Sequence, residues 1–101
     1  MPKIDKQYLD KLYQAVLSLR TKQECAAFFD DICTIQELEA LSQRLEVARL
    51  LHEGKNYVDI NKQTGASTAT ICRVSKCLSY GDGGYKSVLE KMEKGENSNE
   101  I

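Results

Sequence analysis

The stretch TGASTATICRVSKCL, residues 64–78, is unusual for a helix because its early turns carry small polar side chains. A later turn carries Arg73 and Lys76, and the stretch has neither proline nor the strict alternation of a strand. Gly65 permits the positive φ that a sharp turn requires. We therefore interpret the stretch as a turn followed by a helix that begins at Ser67 or Thr68 and ends at about residue 79.

A second short helix is predicted before this turn. Asn56 favours an N-cap, so the helix should run from Tyr57 to about Gln63. Two short helices joined by a turn that contains glycine form a helix-turn-helix, here over about residues 57–79. Four apolar side chains are placed to hold the two helices together, namely Ile60, Ala66, Ile71 and Val74.

The rest of the chain is also patterned as helices. Apolar residues recur at helical spacing over residues 8–17. Capping boxes beginning at Thr21 and Thr34 predict the starts of the next two helices. A last short helix should follow the glycine-rich segment 81–84, and the polar tail 94–101 should be disordered. We expect an all-α fold of about six helices, with a single domain over residues 1–93.

The third predicted helix, from Thr34 to about Glu53, is apolar on more than one side. One stripe consists of Ile35, Leu38, Leu41, Leu45 and Ala48, and Val47, Leu50 and Leu51 widen it. Such a helix is either the centre of a monomeric bundle or is covered in part by a second subunit. A chain of 101 residues buries a modest core by itself, so we favour a homodimer.

The charge distribution points to nucleic acid although the net charge is −1. Residues 43–77 hold six basic and three acidic side chains, whereas residues 1–42 and 78–101 each have a net charge of −2. Positive charge concentrated at a helix-turn-helix is typical of DNA binding. The alternative is a helix-turn-helix that binds another protein and not DNA.

The outward face of the second helix suits the major groove of double-stranded DNA, because small side chains let a helix approach the base edges. Short hydroxyls can bond to bases, phosphates or bridging waters, and cations suit guanine or phosphate. The candidate DNA-contacting residues are Ser67, Thr68, Ala69, Thr70, Arg73 and Lys76 on this helix, with Lys62, Gln63 and Lys55 before it.

Other classes of function find little support in the sequence. The four cysteines, Cys25, Cys33, Cys72 and Cys77, form no C-x-x-C pair and there is one histidine, His52. We therefore expect no metal site, no cofactor and no enzymatic activity, and a redox role for the cysteines stays open. No apolar run is long enough to span a membrane and the start lacks the apolar region of a signal peptide, which predicts a cytoplasmic protein.

Two segments carry a resemblance to a known family. LEALSQRLEVARLLHEGKNY, residues 38–57, and INKQTGASTATICRVSKCL, residues 60–78, resemble the Trp repressor family, and more closely its YerC/YecD group of bacterial Trp-repressor-like proteins. The resemblance covers about residues 5–93. It implies an intertwined homodimer that represses transcription by reading a near-palindromic operator, with half-sites roughly 34 Å apart.

The resemblance also implies a place for a small effector. In the tryptophan-sensing members, one arginine of the dimer-core helix and one of the recognition helix enclose the indole, and these match Arg44 and Arg73. Those members have glycine where this chain has Val74, and leucines where it has Asp31 and Cys33. The candidate effector pocket consists of Arg44, Arg73, Val74 and Thr34. Either Val74 fills this pocket and holds the helix-turn-helix of each subunit ready to bind without a ligand, or a different small molecule binds there.

Two residues leave alternatives open. Asn61 stands where helix-turn-helix units usually carry a small residue, so either the turn backbone satisfies its amide or the helices pack loosely. Arg44 has a simpler role available, as the ion-pair partner of Glu46 or Glu39 on its own helix.

Tryptophan should not bind this protein with useful affinity. A branched valine occupies the volume that the indole needs, and an acid is a poor lining for an apolar slot. Isothermal titration calorimetry with tryptophan checks this, and a micromolar dissociation constant would contradict it.

Overall fold

The computed structural model describes the backbone of residues 3–99 and the side chains of residues 3–95. Within that range the chain forms helices and no strand, so the predicted all-α class is confirmed. The six helices are α1 (Lys6–Leu17), α2 (Lys22–Ile32), α3 (Ile35–His52), α4 (Tyr57–Thr64), α5 (Thr68–Tyr80) and α6 (Gly84–Asn99).

The two predicted capping boxes begin α2 and α3. Thr21 Oγ1 accepts a hydrogen bond from Glu24 N at 3.1 Å, while Glu24 Oε2 accepts from Arg20 N at 3.2 Å. At α3 the box is reciprocal, because Thr34 Oγ1 accepts from Glu37 N at 3.1 Å and Glu37 Oε1 accepts from Thr34 N at 2.8 Å. These bonds to Thr34 stabilise the carboxylate and lower the pKa of Glu37. Local sequence therefore determines where both helices start.

The chain divides into two compact units, one ending at Leu38 and the other beginning at Glu39. The single domain expected over residues 1–93 stays a prediction. In α1 and α2, which the structure describes in full, no side chain is buried. Tyr8 is 72% exposed and Ile32 is 52% exposed. The first unit therefore has no hydrophobic core of its own.

The second unit contains one cluster of buried residues. Its members are Val47, Ala48 and Leu50 of α3, Ile60 of α4, Ala66 of the turn, Ile71 and Val74 of α5, and Leu89 of α6. Each of these side chains is at most 3% exposed. The four residues predicted to hold the helix-turn-helix together all belong to this core. The helix-turn-helix is therefore packed on α3 and α6 by apolar burial.

The turn between α4 and α5 is closed by hydrogen bonds. Gly65 has a φ of 73° and its N–H donates to Asn61 O at 2.8 Å. Thr64 Oγ1 donates to Ile60 O at 2.7 Å and accepts from Ala66 N at 3.1 Å. Asn61 Nδ2 donates to Ala66 O at 2.8 Å. The turn backbone therefore satisfies the Asn61 side chain, as the first of the two alternatives predicted.

The end of the chain differs from the sequence prediction. Helix α6 was expected to be short, with residues 94–101 disordered, but it continues to Asn99. Glu90 lies four residues before Lys94, a spacing that supports a helix, although Gly95 and Asn97 have low helix propensity. Residues 100 and 101 lie outside the described part of the chain.

Gly65→Ala should lower the free energy of unfolding by about 1 kcal/mol, because an L side chain at positive φ is strained. A Cβ at Gly65 would meet no atom within 4 Å, so the loss comes from backbone conformation alone. Gly95→Ala is the matched control, since Gly95 lies inside α6 and also has open space. It should be neutral or stabilising. Urea unfolding of both variants measures the difference, and equal effects would contradict the prediction.

Candidate nucleic-acid interface

The first turn of α5 is shaped by its own cap. Ser67 Oγ accepts a hydrogen bond from Thr70 N at 3.2 Å and donates one to Thr70 Oγ1 at 3.1 Å. The Ser67 hydroxyl, a candidate DNA contact, thus keeps one acceptor lone pair for any further partner, while the Thr70 hydroxyl keeps its proton to donate. The sequence did not predict that these two bonds engage the Ser67 hydroxyl, although the preference of serine for N-cap positions could have indicated it.

The remaining candidates on α5 face solvent. Thr68, Ala69, Arg73 and Lys76 are exposed, and Thr70 is half-buried. Ala69, Arg73 and Lys76 follow the i, i+4, i+7 spacing, so they lie on one face of the helix. The opposite face carries the buried side chains of α5. The structure therefore brings together the predicted reading surface as a small residue followed by two cations.

The candidates that precede the turn are also accessible. Lys62 and Gln63 lie on α4, and Lys55 lies in the connection between α3 and α4. All three are exposed, and within residues 3–95 none of them forms an ion pair or a side-chain hydrogen bond. Lys62 lies in the last turn of α4. These side chains are free to meet an anionic partner.

The acids of this region are largely occupied. Arg49 donates to Glu53 Oε1 from Nη1 at 2.8 Å and to Glu46 Oε2 from Nη2 at 3.1 Å. The hydrogen bond from Arg49 lowers the pKa of Glu46, so that this carboxylate stays ionised and paired. Two of the three acids in residues 43–77 thus pair with Arg49 of α3. The exposed lysines and Arg73 are left with Asp59 as the remaining acid of this region.

A cavity of about 270 Å³ lies beside α5. It is lined by Leu41, Arg44, Arg73, Val74, Cys77 and Tyr85. Three of the four residues predicted for an effector pocket are therefore neighbours. Thr34 belongs to the first unit, where its hydroxyl caps α3, and its place in an effector pocket stays a prediction. Val74 is 1% exposed and is shared between the cavity wall and the core.

Three lining residues were not predicted from the sequence. Leu41 precedes Arg44 by three positions and Cys77 follows Arg73 by four, so helical spacing was the available signal. Tyr85 lies in the first turn of α6, and only the packing of that helix brings it here. Arg44 is half-buried and, in the part of the chain that the structure describes, makes no ion pair. Its proposed partner Glu46 pairs with Arg49 instead.

The cysteines are free thiols. Cys25, Cys33 and Cys72 are half-buried and Cys77 is exposed. Across the described residues, no three His, Cys, Asp or Glu side chains are grouped to hold a metal ion. None of the helices described is both long and apolar enough to cross a membrane.

Known proteins resemble this chain over most of its length. The family model for the Trp repressor protein matches residues 7–93. The uncharacterized protein YerC of Bacillus subtilis (strain 168) is 52% identical over 88 residues, which cover 87% of this chain and 85% of YerC.

Two solved structures have a similar fold. A TrpR-like protein from Eubacterium eligens ATCC 27750 is 50% identical, with a TM-score of 0.83 over 86% of this chain and 90% of that one. A candidate Trp repressor from Staphylococcus aureus is 45% identical, with a TM-score of 0.83 over 86% of this chain and 87% of that one. The chain therefore belongs to the Trp repressor family, within its YerC-like group.

Proposed function

We propose that this protein is a sequence-specific DNA-binding transcriptional regulator, a repressor that binds a near-palindromic operator as a homodimer. The observation that carries the proposal is the outward face of α5. Ala69, Arg73 and Lys76 are exposed on one side of a helix whose other side is buried in the core. Membership of the Trp repressor family supports the coarser statement that the chain is a DNA-binding regulator.

The geometry of α5 supports insertion into the major groove. A helix that reads bases must bring its N-terminal turns near the base edges. Thr68 and Ala69 are small and exposed at this end of the helix, so they allow close approach. Arg73 follows one turn later and has the length and the fork of donors to reach guanine O6 and N7. Lys62 and Lys55 would neutralise phosphates on either side of the groove.

Charge separates this proposal from the alternative of a protein-interaction module. The cations of the head are exposed, and the acids nearby are paired on α3. An acidic protein that carries such a basic surface is suited to a polyanion, whereas a module that binds a protein by apolar contact needs no cationic face. The alternative predicts binding that responds weakly to salt.

Exposed apolar side chains support the homodimer. Tyr8, Leu12 and Val16 follow each other at four-residue spacing on α1 and are 72%, 37% and 39% exposed. Ile35 and Leu41 on α3 are 73% and 44% exposed. Covering one such aliphatic side chain fully contributes roughly 1.5–3 kcal/mol. A second copy of the chain that covers these faces would complete the core that the first unit lacks, in keeping with the intertwined dimer expected from the resemblance.

The biological setting follows from the same proposal. A dimer with two reading helices binds two half-sites related by a twofold axis, which accounts for a near-palindromic operator. Repression requires only that the bound dimer obstruct transcription, so the protein needs no catalytic group or cofactor. We place it in the cytoplasm, where bacterial operators are. Tryptophan is not its effector.

DNA affinity should fall steeply with salt, by about 0.9 logarithmic units per phosphate contact for each tenfold increase in concentration. The operator is first selected from fragmented genomic DNA and then titrated by fluorescence anisotropy.

Arg73→Ala should weaken specific binding by about 1–3 kcal/mol and relax the preference at one base pair. Lys62→Ala should instead reduce the salt slope by about 1 and leave the base preference unchanged.

Lys11→Ala is the control for these variants, because Lys11 is an exposed lysine on α1 outside the head. It should leave the affinity and the salt slope unchanged. Selection that enriches no sequence, or an Arg73→Ala variant with unchanged affinity and base preference, would contradict the proposed reading surface.

Sedimentation equilibrium should give a mass of twice the 11.4 kDa of one chain. Leu12→Glu should raise the dimer dissociation constant by about tenfold or more, because each interface would then enclose two carboxylates in an apolar setting. Gln14→Glu introduces the same side chain at an exposed polar position of α1 and should leave the dimer intact. A wild-type protein that stays monomeric at all concentrations would refute the dimer.

A further inference from the structure

We propose that Gln43 is a positioning residue for DNA recognition, which holds the helix-turn-helix in its reading orientation on α3. This inference rests on the proposed function. The Gln43 side chain is half-buried on α3, and its Nε2 donates a hydrogen bond to Thr64 O at 3.1 Å, across 21 residues of sequence. Thr64 is the last residue of α4 and directly precedes the turn.

The bond completes the C-terminal end of α4. The last carbonyl groups of a helix have no partner within the helix. Here Asn61 O accepts a hydrogen bond from Gly65 N. Ile60 O, which belongs to the helix, accepts one from Thr64 Oγ1. Thr64 O receives its donor from Gln43, which lies on a different helix. Helix α4 is thus capped in part by a side chain of α3.

Thr64, which Gln43 bonds to α3, is also linked to the start of α5. The Thr64 hydroxyl accepts from Ala66 N at 3.1 Å, and Ala66 O accepts from Asn61 Nδ2 at 2.8 Å. Ser67, the N-cap of α5, follows at once. A displacement of Thr64 relative to α3 therefore displaces the first turn of α5, where the exposed reading residues lie.

Apolar packing alone would define this orientation less well. The buried cluster attaches α4 and α5 to α3, but the hydrophobic effect is not directional. A hydrogen bond between a side-chain amide and a carbonyl has preferred distances and angles, so it selects one position of the turn.

The test replaces Gln43 with methionine, which has a similar length and no donor. Operator affinity and affinity for a scrambled duplex are measured at 25 °C, far enough below the melting temperature that the protein is fully folded. Gln43→Met should weaken operator binding by about threefold to tenfold, as expected for one hydrogen bond, and leave scrambled-duplex binding unchanged. A bond that only stabilised the fold would leave both affinities unchanged under these conditions.

Two further variants sharpen the result. Gln36→Met is the matched control, because Gln36 is an exposed glutamine on the same helix, and it should behave as wild type. Gln43→Asn keeps the amide but is one methylene shorter, so it should show the same selective loss as Gln43→Met. If Gln43→Met fails to fold, Gln43→Asn gives the deciding measurement.

The outcomes separate this inference from the proposed function. A wild-type protein that selects an operator, together with Gln43 variants that bind it equally well, would overturn the positioning role and leave the proposed function standing. A wild-type protein that selects no operator would overturn both. An equal loss on the operator and on the scrambled duplex would show that Gln43 affects DNA binding in general and not the reading of bases, and would reject the positioning role.

Discussion

The structure depends on α5, a helix that is buried on one side and exposed on the other. Ile71 and Val74 anchor α5 in the core, together with Ile60 and Ala66 of the preceding helix and turn. Apolar burial attaches these two short helices to α3, and they need it because isolated helices of this length are marginal in water. The apolar face therefore supports the polar one, and the exposed residues keep their spacing only while that core is intact.

The two units of the chain differ in how they could be stable. The second unit has a core shared by four helices and the turn, whereas α1 and α2 in the first unit bury no side chain. Capping boxes can determine where helices begin, but they contribute about 1 kcal/mol each and do not replace a core. The first unit thus needs apolar surface from elsewhere, and a second copy of the chain offers the same exposed stripes in return.

Electrostatics in this protein is a matter of arrangement. The net charge is −1, yet Glu46 and Glu53 are engaged by Arg49 while the cations of the helix-turn-helix remain exposed. Surface ion pairs of this kind add little stability. Their consequence here is that Glu46 and Glu53 do not neutralise the exposed cations of the head. A polyanion would meet a surface more basic than the overall composition suggests.

Much of the fold was determined by sequence because it is local. Three kinds of signal act within a few residues: helical periodicity, the caps at Thr21, Thr34 and Asn56, and the glycine of the turn. The six helices and the helix-turn-helix therefore followed from local sequence. Sequence also identified the exposed candidates on α5, whose roles on DNA stay predictions. The extent of α6 differs from the prediction, because the polar end of this helix has no apolar periodicity to indicate it.

Contacts across long stretches of chain were decided only by the tertiary structure. Spacing cannot show that Gln43 reaches Thr64 or that Tyr85 joins Arg44 and Arg73 at one cavity. Spacing also cannot show that Glu46 pairs with Arg49 and not with Arg44. These facts depend on how helices pack, and packing is set by the burial of apolar surface from residues far apart in sequence, which no local pattern encodes.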